Sequence, residues 1–352
     1  LFTLRRHSMP GGRELLLYGR KAHDAPPLPV LPSEPPAAPP HLRWHPFLGE
    51  WVAYAGARQG RTFLPDRAAC PLCPAGEGRL GEIPFAEFEI AVFENRFPAL
   101  IAAQEAPPDI AGIVAAPAEG RCEVVVFSAD HAGGLGTLPV DRLALLIEVW
   151  GARIKALRDE AGLSCVLPFE NRGEEIGVTL HHPHGQIYAF PFVPQRVLRA
   201  AKAQQESPIV ARLIDAVPHE LVIDAEDAAV SFVPPFAMYP FETWLAPRRR
   251  VAGPDALSPV ETEALARLLR RAIRRLDGLF SRPMPYILTV QAAPRGFEQS
   301  FHMTIEIRPF RRDHDKLKFL AGVEQGAGVF LVDVLPEQAA ARLKAVDPET
   351  GA

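Results

Sequence analysis

Two imidazoles and a carboxamide at alternate positions, in His182-Pro183-His184-Gly185-Gln186, are the side chains of this sequence best suited to chemistry. They lie in a run rich in β-formers, Val178 to Phe192, and alternate side chains of an extended chain share one face. The spacing predicts that His182, His184 and Gln186 point into one site, about 7 Å from each to the next. Such a set fits phosphoryl chemistry: a nitrogen nucleophile, a ligand or orienting group, and a neutral donor for a phosphate oxygen. A second pair, Cys70 and Cys73, is spaced so that one turn can present both thiols. On its own this pair fits metal ligation, a redox dithiol or two unrelated buried cysteines. Prolines flank both cysteines and no thioredoxin-like context surrounds them, which favours a metal. Cys122 and Cys165 sit in apolar runs and read as core.

The elements that must hold these residues show a faint duplication. Pro139-Val140 opens a helix whose stripe is Leu143, Leu146, Ile147, Trp150, Ile154 and Leu157. Ser258-Pro259-Val260-Glu261 opens another, with a capping box and a proline in the first turn. Each helix precedes a short apolar strand, Cys165 to Phe169 or Tyr286 to Val290, then a polar turn, Glu170 to Gly173 or Gln291 to Pro294. A second strand follows, carrying His182-x-His184-x-Gln186 in one half and His302-x-Thr304-x-Glu306 in the other. One offset, 120 positions, relates Pro139 to Pro259, Val140 to Val260 and His182 to His302. The strand Cys122 to Ser128 has its counterpart near Phe241 to Pro247. The predicted class is α+β: two fused halves, each an antiparallel sheet with a covering helix. The expected division is 1–40 as an N-terminal segment, 41–195 as the first half and 196–352 as the second.

Composition sets the limits. The chain has 352 residues, 48% hydrophobic and 23% charged, which is ordinary for a globular protein with a real core. A net charge of -4 offers no basic field for nucleic acid. No run approaches the roughly 18 apolar residues of a membrane helix and no signal-peptide pattern opens the sequence, so a cytoplasmic location without membrane contact is expected. Many of the 37 prolines fall between Pro26 and Pro40, which reads as an extended arm or linker over the surface.

The chain resembles the histidine-triad superfamily in its galactose-1-phosphate uridylyltransferase branch, which has two fused histidine-triad-like halves. The resemblance rests on His182 to Gln186 together with Arg43-Trp44-His45-Pro46, Cys70 to Cys73, Glu94-Asn95-Arg96-Phe97-Pro98-Ala99 and Phe127-Ser128-Ala129-Asp130-His131. Glu170-Asn171-Arg172-Gly173 and Lys318-Phe319-Leu320-Ala321-Gly322 also fit, so the likeness runs from about residue 41 to the end, in the family's order.

That resemblance implies one structural zinc on Cys70, Cys73, His131 and His182, a closed tetrahedral set with no open position. It makes His184 the nucleophile on the α-phosphorus of a nucleoside diphosphate sugar, forming a nucleotidyl-imidazole that passes the nucleotide to a second sugar phosphate. The other ring nitrogen must then keep its proton, against a backbone carbonyl. Gly185 is expected to admit the phosphate closely. Gln186 stands where the superfamily's hydrolases carry a third histidine; an amide can bind a phosphate oxygen but cannot shuttle protons, which suits transfer better than hydrolysis. Asn95 and Arg96 fall where the family binds uridine, and Asn171 and Thr179 near the phosphates. Arg58 and Arg61 match two family arginines that neutralise diphosphate, and Lys318, Phe319, Val323 and Glu324 match the segment that contacts the hexose. The family's second metal site is not expected here, because Gln291, Thr304 and Glu306 replace its histidines and Ala200 falls near its glutamate. The implied reaction is UDP-glucose with galactose 1-phosphate, in a homodimer. The alternatives are a related ADP-glucose adenylyltransferase or phosphorylase using the same covalent histidine, and a zinc-stabilised nucleotide-binding scaffold without catalysis.

Overall fold

A computed structural model describes residues 2–29, 39–60, 63–76, 80–102 and 106–349. Most of the proline-rich segment and Arg61 lie outside these described residues. In chain order the N-terminal segment supplies β1 (Thr3–Ser8) and β2 (Glu14–Gly19), and the first half β3 (His41–His45), β4 (Glu50–Tyr54), β5 (Ile90–Glu94), β6 (Ala115–Pro117) and β7 (Arg121–Val126). It continues with α1 (Val140–Lys155), β8 (Cys165–Arg172) and β9 (His184–Phe190). The second half holds α2 (Gln195–Glu206), α3 (Ile209–Ala216), β10 (Val222–Ala225), β11 (Ala229–Phe232), β12 (Thr243–Pro247), α4 (Pro259–Gly278), β13 (Tyr286–Gln291) and β14 (Thr304–Pro309). It ends with β15 (Arg311–Asp313), β16 (Lys316–Leu317), α5 (Gly322–Ala327) and α6 (Pro336–Ala345).

Eleven strands form one antiparallel sheet in the order β1-β2-β5-β7-β9-β8-β13-β14-β12-β11-β10. Read outward from the β8–β13 junction, both sides repeat the same local order, β8-β9-β7 against β13-β14-β12. The expected α+β architecture of two antiparallel, helix-covered halves is therefore present, with the halves sharing a single sheet. The stripes of α1 and α4 bury Leu146, Ile147, Trp150, Leu265, Leu269 and Ile273 against one sheet face and each other. The α4 start is fixed as the sequence predicts: Glu261 N–H donates to Ser258 Oγ at 3.3 Å, and Ser258 N–H donates to Glu261 Oε2 at 2.8 Å.

Three features differ from the sequence reading. The polar segment Glu170 to Arg172 is strand rather than turn, because it pairs with β13 (Leu288 with Glu170, Tyr286 with Arg172) and makes the junction. The β-run from Val178 becomes strand only at His184, so His182 lies outside the ladder. The N-terminal segment holds more than an arm: β1 and β2 extend the main sheet beside β5, burying Leu15, Leu16 and Leu17.

Candidate active site

Strand β9 lies between β7 and β8, with Val126 opposite His184 and both Val124 and Phe169 opposite Gln186. Its Gly185, Ile187 and Ala189 face the helices, while His184, Gln186, Tyr188 and Phe190 are half-buried on the opposite face. Central placement in a ladder holds both polar side chains on rigid backbone. Gly185 has a different physical reason from the one expected. A Cβ there would lie 2.7 Å from the Phe169 carbonyl and 3.0 Å from the Phe127 ring, so the glycine serves packing on the helix side.

His184 Nδ1 donates to the His182 carbonyl at 2.7 Å, which leaves the Nε2 lone pair free. Burial lowers the pKa of His184 below the ordinary imidazole value, favouring the neutral ring. Asn95 Nδ2 donates to Gln186 Oε1 at 3.4 Å, leaving the Gln186 amide N–H groups available to an acceptor in the cavity. That cavity, about 180 Å³, is lined by His184, Gln186, Asn95, Arg96, Thr179 and Glu82, with Leu72, Phe93, Phe97, Val124 and Leu180 as apolar walls.

His182 does not share that cavity. Its ring is fully buried beside the cysteine loop, where Nε2 donates to the Ser128 carbonyl at 2.8 Å. Nδ1 faces Cys73 Sγ at 3.4 Å, and His131 Nδ1 lies 3.2 Å from the same sulfur. The expectation of three side chains in one site is thus corrected, because the chain bends at His182, before the ladder begins at His184. Cys70, Cys73, His131 and His182 bring one ligand atom each within 4.8 Å of one another. Ligand-to-ligand edges in a tetrahedral zinc site are roughly 3.5 Å, so this cluster fits a four-coordinate cation. Burial pushes the Cys70 thiol up to about 11 and the His182 ring down to about 4. The imidazole is therefore ready to ligate, whereas the thiol needs a cation to become a thiolate. Pro183 alone separates the cluster from His184: the His182 ring joins the cysteines and its carbonyl holds His184.

The bond from His182 Nε2 to the Ser128 carbonyl has its counterpart in the second half, where His302 Nε2 donates to the Pro247 carbonyl at 2.8 Å. There Thr304 and Glu306 stand in the places of His184 and Gln186. Thr304 Oγ1 donates to Glu306 Oε1 at 3.1 Å, and Arg308 pairs with the Glu306 carboxylate, so that position is filled by an internal polar cluster. Gln291 donates to Thr289 Oγ1 at 3.0 Å.

The remaining candidates divide. Arg58 donates to the Phe97 carbonyl at 3.2 Å and to Tyr188 Oη at 3.0 Å, beside a broader cleft of about 1200 Å³ that shares Thr179 with the small cavity. Asn171 lies on β8 opposite Ile287, outside the small cavity's lining. Lys318 and Glu324 are buried and paired with each other, and Lys318 Nζ also donates to the Leu331 carbonyl at 2.7 Å. Phe319 and Val323 are exposed, and none of these four lines the cavity of His184. Sequence reasoning missed Glu82 and Leu180 as cavity residues. Tyr188 continued the alternation after Gln186 and was legible in principle.

The model for the galactose-1-phosphate uridyl transferase N-terminal domain matches residues 36–194, and that for its C-terminal domain matches residues 202–350. A galactose-1-phosphate uridylyltransferase of Thermotoga maritima is 33% identical over 88% of this chain and 99% of its own length. One from Streptomyces lividans is 34% identical over 95% of both. A solved structure described as a uridylyltransferase superposes with TM-score 0.78 at 30% identity, over 87% of this chain and 97% of its own. An ADP-glucose phosphorylase from Arabidopsis thaliana, at 23% identity over 88% of this chain and 99% of its own, shares the fold with TM-score 0.68. With both domain models matched in order along one continuous sheet, the chain belongs to the galactose-1-phosphate uridyl transferase family.

Proposed function

We propose that this protein transfers UMP from UDP-glucose to galactose 1-phosphate by two displacements at His184. The observation that carries the reading is the 2.7 Å bond from His184 Nδ1 to the His182 carbonyl, in a cavity shared with Gln186. Nε2 attacks the α-phosphorus, a P–N bond forms, and the bond from that phosphorus to glucose 1-phosphate breaks with its electrons leaving on the sugar phosphate. Galactose 1-phosphate then attacks the same phosphorus and Nε2 leaves. The Nδ1 proton stays in place through both steps, and the His182 carbonyl stabilises the positive charge the ring carries between them. Gln186 donates to a non-bridging oxygen without supplying a proton. Thr179 and Arg58 are assigned to phosphate binding, and Asn95 and Arg96 to the nucleoside.

Cys70, Cys73, His131 and His182 would hold Zn²⁺, whose contribution when bound is to cross-link the cysteine loop, the His131 segment and the approach to β9. Among the described residues no helix is long and apolar enough to cross a membrane. The test is incubation with UDP-glucose, and separately with ADP-glucose, followed by intact-mass measurement. A gain of one UMP that is absent in His184→Ala is the expected result. A gain of AMP instead would assign the adenylyl reaction, and an unlabelled protein would overturn the reading.

A further inference from the structure

Arg13 lies in the turn between β1 and β2, ahead of the first residue matched by the family model, yet its side chain reaches the wall of the His184 cavity. Arg13 is 9% exposed and Glu82 is 5% exposed. Arg13 Nη2 donates to Glu82 Oε2 at 2.7 Å, and Nη1 donates to the Glu94 carbonyl at 3.2 Å. One guanidinium therefore ties together the two segments that form the polar wall, the Glu82 loop and the Glu94–Asn95–Arg96 strand end.

Glu82 Oε1 is treated differently. Arg96 Nη1 stands 3.8 Å away, close enough for charge attraction but beyond a hydrogen bond. Among the described residues no donor lies within hydrogen-bond distance of this oxygen. Glu82 lines the cavity, and a carboxylate can only accept, so this oxygen is open to a donor on a molecule bound there. The cavity beside it has apolar walls in Leu72, Phe93, Val124 and Leu180, as a planar base requires. Contacts also set its place along the cavity. His184 and Gln186 handle the phosphate, Asn95 touches Gln186, Arg96 follows Asn95, and Glu82 faces Arg96. Glu82 thus stands on the nucleoside side of the phosphate.

We propose that Glu82 accepts a hydrogen bond from the nucleoside of the bound nucleotide, and that Arg13 is its positioning residue, making the N-terminal hairpin part of the substrate site. The donor is an N–H of the base or a hydroxyl of the ribose. The proposal rests on the nucleotidyl-transfer reading for its substrate, and its test separates the two.

Glu82→Gln keeps the shape and removes the charge; it should raise the half-saturating UDP-glucose concentration for labelling by about 10- to 100-fold. The half-saturating galactose 1-phosphate concentration should move less than about threefold, since the nucleoside is already bound covalently when that substrate arrives. Arg13→Met should shift UDP-glucose in the same direction, Arg13→Lys should recover part of the loss, and the double variant should fall short of the product of the singles. With 2′-deoxy-UDP-glucose, loss of the Glu82→Gln effect assigns the ribose, and an undiminished effect assigns the base. Unchanged UDP-glucose saturation in Glu82→Gln, or equal shifts for both substrates, overturns the proposal. An Arg13→Met protein that melts earlier but saturates normally overturns the role of Arg13. Should the parent protein never be labelled, the transfer reading fails, and calorimetric binding of UMP to parent and Glu82→Gln proteins still decides the role of Glu82: weaker binding by the variant supports it and equal binding overturns it.

Discussion

His182 performs two jobs with two different groups. Its ring completes the Cys70, Cys73 and His131 cluster, and its carbonyl holds the His184 Nδ1 proton. Loosening the cluster should therefore move the nucleophile without touching it. On the proposed metal site, Cys73→Ser is expected to lower the metal content below one equivalent, measured by elemental analysis, and to slow labelling by UDP-glucose on the order of 10²-fold through misplacement alone. Labelling at the parent rate in a metal-free variant would disprove this coupling. The acid limb follows from the His184 ring. A protonated His184 has no lone pair on Nε2, and burial lowers its pKa below the ordinary 6.5. The labelling rate should be flat between about pH 7 and 8 and fall only below the ordinary imidazole value. A fall centred above pH 7 would assign the titration to another group. Gln186→Ala removes a donor to the developing phosphate charge and should cost about 10²- to 10³-fold in kcat. A loss confined to KM would reassign the amide to ground-state binding.

At the scale of elements the junction strand β8 is the least ordinary piece. Its Glu170 is buried beside β13, accepting from the Tyr286 hydroxyl at 2.8 Å, and burial raises its pKa from the ordinary 4.5 to about 7. A carboxyl raised in the folded state favours folding while protonated; that contribution is full below about 4.5 and is lost as pH rises through about 7. Glu170→Gln keeps an acceptor for Tyr286 and never ionises, so at pH 8 it should be more stable than the parent by up to about 3 kcal/mol. Urea midpoints at pH 5 and pH 8 test the sign: the gain should appear at pH 8 and vanish at pH 5. This buried carboxyl also explains why Glu170 to Arg172 read as a turn. Three consecutive polar residues signal exposure, and only the partner strand β13, more than a hundred residues away, draws them into a ladder with Glu170 buried and Asn171 and Arg172 half-buried. The stripes of α1 and α4 and the Ser258 capping box were legible because period and cap are local. The start of β9 was not, because the contact that holds the His182 ring against Cys73, 109 positions away, is a tertiary effect.

The whole molecule is one sheet, and that decides how its parts share stability. The duplication in sequence showed two halves, but nothing local showed that β8 would pair directly with β13 or that the N-terminal hairpin would extend the far side. The site was legible in the same proportion: the residue types of the cluster and nucleophile were readable, whereas Arg13 and Glu82, 69 positions apart, meet only through the fold. A continuous ladder through the junction predicts that damage in one half is felt in the other. Trp44, Trp51 and Trp150 report on the first half and Trp244, on β12, on the second. In a variant with the first three replaced by Phe, Trp244 fluorescence should follow the same urea transition as far-ultraviolet circular dichroism. A chelator acting at the cysteine cluster should then lower the Trp244 midpoint along with the rest. If Trp244 keeps its midpoint while the dichroism splits into two transitions, the halves unfold separately, and the β8–β13 pairing does not couple them.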